Sequence, residues 1–201
     1  MNYTGPKVRL SRRLGIAITP KAAKIMERRQ TPPGQHGPNT RRRGKVKDYT
    51  LQLLEKQKLR LQYNVSERQF RRYFAAAARS TSNTGERMVQ LLEQRLDAFV
   101  LRAGFARTIY QARQLSSHGH FLVNGRAVDI PSYQLRAGDR VSVRPRSRQV
   151  TAIRDSIRTA HPPGYIELDK VNLTARLLAT PDRAEIPVVC DAHLVVEFYS
   201  R

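Results

Sequence analysis

Apolar residues return at three- and four-residue intervals along several stretches of the chain, and each predicts an amphipathic helix. From Tyr49 to Leu61, Leu51, Leu54 and Leu61 fall at helical spacing while Lys56, Lys58 and Arg60 form a basic face. Asn64 ends that stretch. Ser66 opens the next helix, and Gln69 three residues on completes a capping box. Phe70, Tyr73, Phe74 and Ala77 make its apolar stripe, with Arg68, Arg71 and Arg72 on its other faces. Residues 80–85, Ser-Thr-Ser-Asn-Thr-Gly, read as a linker or turn. From Glu86 the pattern is helical again, with Val89, Leu92, Leu96, Phe99 and Ala103 on one side. It fits one helix or two with a break near Arg95, and Gly104 offers a left-handed stop.

A second capping box, Thr108 with Gln111, starts a helix that buries Ile109, Ala112 and Leu115 beside small Ser116. Arg113, Gln114, Ser117 and His118 share its other side. Gly119 stops it, and the period then changes to two. His120 leads into a strand at Phe121-Leu122-Val123, Asn124-Gly125 is a strong hairpin signal, and Arg126-Ala127-Val128 returns. Ile130-Pro131-Ser132 interrupts, and Ala137-Gly138-Asp139 turns into a strand at Arg140–Val143. Farther on, Val150 to Thr159 reads as helix, and His161-Pro162-Pro163-Gly164 breaks the chain. Tyr165–Leu168 and Ile186–Cys190 are strand-like, and Leu194–Tyr199 fits either a strand or a docked terminal helix.

Residues 1–45 show little periodicity and many breakers, including Thr4-Gly5-Pro6 and Pro32-Pro33-Gly34, so they are expected to be an extended basic arm. The predicted class is α+β: a helical N-terminal domain plus a small domain of two helices packed on antiparallel strands, preceded by that arm. The predicted divisions are an arm over 1–45, a helical domain over 46–93, a helix–helix–hairpin module over 94–144, and a C-terminal helix and strands over 145–201 completing the domains.

Charge changes this picture from fold to partner. The 201 residues carry 37 Lys+Arg against 16 Asp+Glu, a net of +21, of which +13 lies in residues 1–60. A compact chain so charged repels itself unless it meets a polyanion. Nucleic acid suits it better than a membrane, because no long helix sets bulky apolar residues against Lys and Arg. No apolar run is long enough to span a bilayer, and Met1-Asn2-Tyr3 does not begin a signal peptide. Cys190 is the only cysteine, so no intrachain disulfide can form; a buried thiol and a reducing cytoplasm are expected.

The pair His118 and His120 raises metal binding or catalysis. A glycine between a helix end and a strand start puts the two rings on different faces. The nearest acid is Asp129, while His36, His161 and His193 are remote, so the three protein ligands of a zinc site are missing. Ser116 and Ser117 beside His118 are read as residues that end a helix. The carboxylates are scattered, and no glycine-rich loop follows a strand as a phosphate cradle requires. No cofactor, no metal and no catalysis are expected. The candidate chemistry is phosphate binding by Arg12, Arg13, His36, Arg41, Arg42, Arg43, Lys45, Lys47, Tyr49, Lys56, Lys58, Arg60, Arg68, Arg71, Arg72, Arg107, Arg113, Gln114, Ser117, His118, Asn124 and Arg126. Aromatics are few, so base stacking is not the main device. A folded RNA gripped at several distant points fits an arm plus two basic modules better than a DNA groove.

Several motifs then carry a resemblance. Arg95-Leu96-Asp97, Ala112-Arg113-Gln114-Leu115, Gly119-His120 and Val123-Asn124-Gly125 are similar to an RNA-binding module shared by a ribosomal protein and several RNA-modifying enzymes. Outside it stand Pro33-Gly34-Gln35-His36-Gly37, Glu55-Lys56-Gln57-Lys58-Leu59-Arg60, Ser66-Glu67-Arg68-Gln69-Phe70, Asp129-Ile130-Pro131-Ser132-Tyr133 and the final Val196-Glu197-Phe198-Tyr199-Ser200-Arg201. In this order and spacing the chain resembles the bacterial-type small-subunit ribosomal protein S-four family.

The resemblance implies a ribosome-bound primary binder of small-subunit rRNA at a multi-helix junction of the 5′ domain, where it helps start assembly. It also implies contact with ribosomal protein S-five, an effect on decoding accuracy, a place near the mRNA entry channel and, in some members, repression of their own operon. Some members bind zinc through N-terminal cysteines; here Val8 and Ser11 take those positions, which implies a version without metal. The rivals are an RNA-modifying enzyme such as a pseudouridine synthase, and a free RNA chaperone. The first needs a large catalytic domain where only 57 residues follow Arg144, and the second would lack the motifs outside the central module.

Overall fold

The computed structural model describes residues 3–35, 37 and 47–200. They form two compact units, one running to Glu86 and taking in the chain again from Val188, the other Arg87–Pro187.

The first unit is helical. Its helices are α1 (Lys7–Leu14), α2 (Pro20–Arg28), α3 (Asp48–Gln62), α4 (Glu67–Ala78) and α9 (Ala192–Tyr199), with α5 (Thr84–Glu93) starting here and continuing into the second unit. Leu10 and Leu14, one turn apart on α1, meet Leu61 of α3 in a small core that Tyr3, Ile16, Ile18 and Leu54 border. The extended arm expected over residues 1–45 is therefore corrected: two helices lie inside it. Two apolar residues at four-residue spacing sufficed to dock α1, although the segment reads as basic and broken. Thr19 caps α2 by accepting from the Ala22 N–H at 3.2 Å, and Pro20 occupies its first turn. Ser66 accepts from the Gln69 N–H at 3.4 Å, which fixes where α4 begins.

Between strand and docked helix for the C-terminal segment, the structure has the helix. Asp191 caps α9, which packs along α3. The Tyr199 ring stacks on Phe74 at 4.8 Å and the Phe198 ring lies 5.8 Å from Tyr49. The Tyr199 hydroxyl donates to Glu67 at 2.6 Å, and Gln52 donates to Glu197 at 2.8 Å. Ile186–Cys190, expected as strand, pairs with no ladder. Pro187 lacks an N–H, Ile186 and Val188 are buried, and the Gln62 side chain bonds the Val189 backbone, donating to its O at 3.0 Å and accepting from its N–H at 3.2 Å.

The second unit packs α6 (Leu96–Arg102), α7 (Ile109–Ser117) and α8 (Thr151–Arg158) with an antiparallel sheet. Its strands are β1 (Phe121–Val123), β2 (Arg126–Ala127), β3 (Arg140–Val143), β4 (Ile166–Asp169) and β5 (Thr174–Leu177), in the order β2-β1-β3-β5-β4. Register places like with like. Phe121 opposes Val143, Val123 opposes Val141, and Val141 opposes Ala175, so β1, β3 and β5 turn their buried residues to one face. Strand β5 was not anticipated; four residues with two buried side chains fall below what periodicity detects.

The run from Glu86 is two helices, broken at Arg95. There Leu96 N–H donates to Tyr133 O at 2.9 Å, Asp97 N–H to Pro131 O at 3.1 Å, and Leu135 N–H to Gln94 O at 2.8 Å. These bonds tie the helix break to the loop before β3. Gly104 has φ +82°, and a Cβ there would stand 2.2 Å from Ala160 Cβ, so both conformation and space demand glycine. Asn124 and Gly125 have φ of 49° and 79°, the left-handed pair that closes a two-residue hairpin.

Candidate nucleic-acid interface

On α4 the arginines stand where the sequence pattern puts them. Arg68, Arg71 and Arg72 are exposed and, with Glu67 and Ala75, line a shallow cleft. None of the three is in an ion pair among the described residues. Buried Phe70, Tyr73 and Ala77 on the opposite side hold this face outward. Lys47 and Tyr49 are exposed at the start of α3, and Arg13 is exposed on α1. Arg12 is half-buried: it donates to Thr31 O at 3.0 Å and Pro32 O at 3.3 Å, fastening that segment to α1.

The basic face expected on α3 is turned inward. Lys56 is only 6% exposed, donates to Glu67 at 2.9 Å and lies 4.7 Å from the centre of the Phe198 ring. Lys58 pairs with Glu55, and Arg60 binds Gln57 Oε1 at 2.9 Å and sits 3.4 Å from Glu67. Lys58 and Arg60 are engaged by α3 neighbours three residues back, as helical spacing allows, whereas Glu67 and Phe198 reach Lys56 and Arg60 from other elements, Phe198 meeting Lys56 alone. Burial pushes the Glu67 carboxyl up, but hydrogen bonds from Tyr199 and Lys56 and the charges of Lys56 and Arg60 outweigh it and hold the group below its ordinary range.

In the second unit, Gln114, Ser117 and His118 are exposed along the end of α7, with Arg107 exposed ahead of it. Thr108 accepts from the Gln111 N–H at 3.2 Å, while the Gln111 side chain reaches back to the Arg107 N–H at 2.9 Å. Arg126 is exposed on β2. Two expected donors are otherwise employed. Asn124 clamps the hairpin, donating to Asp139 at 2.8 Å and accepting from the Arg140 N–H at 2.9 Å. Arg113 donates to Asp97 at 3.2 Å, and the wholly buried Asp97 also accepts from Arg95 at 2.9 and 2.6 Å and from the Ala98 N–H at 3.0 Å. The Arg95-Leu96-Asp97 motif is therefore an internal ionic anchor between the helix break and α7. His36, Arg41, Arg42, Arg43 and Lys45 lie outside the described residues.

The two histidine rings are tilted 35° with centroids 6.2 Å apart. His118 caps the end of α7 and lines a cleft with Ser117, Gly119, Ala127, Asp129, Arg144 and Arg146. His120 Nδ1 is 2.8 Å from the Ser147 hydroxyl. Its imidazole titrates below the ordinary histidine value, from partial burial first and then from the positive neighbours His118, Arg146 and Arg144. Arg144 and Arg146 were absent from the sequence-based set. The alternation Arg144-Pro145-Arg146-Ser147-Arg148 was the available signal, but only the fold brings it to the end of α7. Among the described residues, no three His, Cys, Asp or Glu side chains converge as a bound metal ion would require.

Exposed guanidinium groups on α4 and around the α7–hairpin corner can donate charged hydrogen bonds to phosphates. Comparison with known proteins agrees. Residues 2–93 match the model described as Ribosomal protein S4/S9 N-terminal domain, and residues 94–141 match the S4 domain. The small ribosomal subunit protein uS4 of Micrococcus luteus is 51% identical over 200 residues, covering 96% of this chain and 95% of that protein. That of Streptomyces avermitilis is 51% identical over 205 residues, covering 100% and 99%, and that of Persephonella marina 46% over 202, covering 98% of each. With residues 2–141 matched in order by the two models and relatives of nearly equal length, the chain belongs to the uS4 family of small ribosomal subunit proteins, structural proteins of the ribosome and not enzymes.

Proposed function

We propose that the protein is a primary binder of small-subunit rRNA, that it docks on a multi-helix junction of the 5′ domain, and that this docking nucleates folding of that domain. The observation that carries the reading is that each unit presents its own cationic side, exposed Arg68, Arg71 and Arg72 in one and exposed Arg107, His118, Arg126 and Arg146 with half-buried Arg144 in the other. A protein gripping RNA at separate places holds the gripped helices in one arrangement, and the second contact gains from the first by effective concentration. The basic segment Arg41-Arg42-Arg43 adds a further contact in this scheme. Ribosomal protein S-five, mRNA near its entry channel, and an influence on decoding accuracy complete the proposal, with the ribosome in the cytoplasm as its location.

The test is sedimentation of tagged full-length protein from lysate with and without ribonuclease. The protein is expected to travel with small subunits and to be released when RNA is digested. Migration as free protein in untreated lysate overturns the assignment. Equilibrium binding to a 5′-domain transcript should also weaken with salt at a log–log slope of about −0.7 to −0.9 per phosphate neutralised.

A further inference from the structure

The cleft at the end of α7 is built from three separate parts of the second unit: the helix end, the segment after β2 and the segment after β3. Its charged or titratable lining is His118, Arg144 and Arg146 against one acid, Asp129. The arginines stand on a braced backbone. Arg144 N–H donates to His120 O at 2.9 Å, Pro145 begins a single 3-10 turn over Pro145–Ser147, and buried Ser147 is fastened to His120. Arg144 reaches over Gly119, its Nη1 being 3.6 Å from where a Cβ would stand. Among the described residues, neither guanidinium is in an ion pair.

Like charges gathered on a rigid corner repel one another and are relieved by an anion of the right size. We propose that this cleft, with Arg144, Arg146 and His118 as donors, seats one backbone phosphate of the bound rRNA. It rests on the RNA-binding reading above and extends it past residue 141, where the match to the S4 domain ends. The depressed titration of His120, set first by its partial burial and then by His118, Arg146 and Arg144, accords with this grouping. The groups facing that imidazole are His118 from α7, Arg144 and Arg146 from the segment after β3, and the Ser147 hydroxyl. A phosphate in the cleft offsets the Arg144 and Arg146 charges and favours protonated His120, so RNA binding takes up protons. Affinity then rises as pH falls from the ordinary histidine value toward the lower value of the free protein.

The experiment measures binding of the full-length protein to a 5′-domain rRNA transcript over salt and over pH. Arg144→Gln with Arg146→Gln should lower the magnitude of the salt slope by about one unit, the release expected for one phosphate, and flatten the pH dependence. Asp129→Asn should bind more tightly than the parent, a gain that misfolding cannot produce. An unchanged slope and pH profile in the double variant, with parental affinity intact, overturns the cleft alone. Failure of the parent protein to bind the transcript overturns the cleft and the rRNA assignment together.

Discussion

Asp97→Asn removes the one carboxylate that two guanidinium groups share inside the second unit. Arg95 is 1% exposed and Asp97 not at all, while Arg113 reaches the same carboxylate with a side chain 30% exposed. Asparagine keeps the volume and one acceptor but no charge, so Arg95 stays buried without its carboxylate. Breaking a buried pair from one side costs roughly 3–5 kcal/mol. The lower figure is appropriate here because the amide oxygen still accepts a hydrogen bond and Arg113 can turn toward water. For a unit near 100 residues, about 3 kcal/mol corresponds to a fall in Tm of roughly 12–24 °C. Urea and thermal unfolding followed by far-UV circular dichroism measure it. Arg113→Gln should cost much less, since it leaves Asp97 bound by Arg95, and should leave the salt slope of RNA binding unchanged. A cost for Asp97→Asn below about 1 kcal/mol would refute the ionic anchor, and a slope lowered by Arg113→Gln would return Arg113 to the RNA face.

Gly104→Ala should destabilise the second unit by about 2–5 kcal/mol, combining left-handed strain with overlap on Ala160, and a Tm within a degree or two of the parent would contradict both. Replacing Arg68, Arg71 and Arg72 together by Gln should lower the salt slope of RNA binding with little change in Tm, whereas Lys56→Gln should lower Tm and leave the slope alone. An inverted outcome would exchange the roles assigned to α3 and α4. Stability of the free protein should fall with acidification in two windows. As pH drops through the ordinary histidine value, the fold resists protonation of His120. Lower, below the ordinary carboxyl range, the contribution of Glu67, whose folded value is depressed, is lost. A Tm that rises between neutral and acid pH would contradict this sign.

Much was decided by the chain alone, because its signals act over four residues or fewer. Ser66 with Gln69 and Thr108 with Gln111 place helix starts through bonds confined to one turn. Asn124-Gly125 closes a hairpin through its own φ angles, and the +21 charge names a polyanionic partner without any fold. Phe70, Tyr73 and Ala77 likewise declare which side of α4 is buried, and so leave Arg68, Arg71 and Arg72 outside.

Tertiary structure decided which cations remain available. A lysine on a helix looks the same in sequence whether water or Glu67 receives it, and Lys56 and Arg113 are settled only by side chains that arrive 11 and 16 residues away. The same holds for the gains. Arg144 and Arg146 join His118 because β3 pairs beside β1, an alignment no local pattern encodes. Docking also made helix of Lys7–Leu14 and left Ile186–Cys190 without a ladder, since a few buried side chains outweigh local preference when a partner surface is present. Charge and periodicity are properties of the chain, but pairing is a property of the packed molecule, and the proposed RNA face consists of the cations that pairing left over.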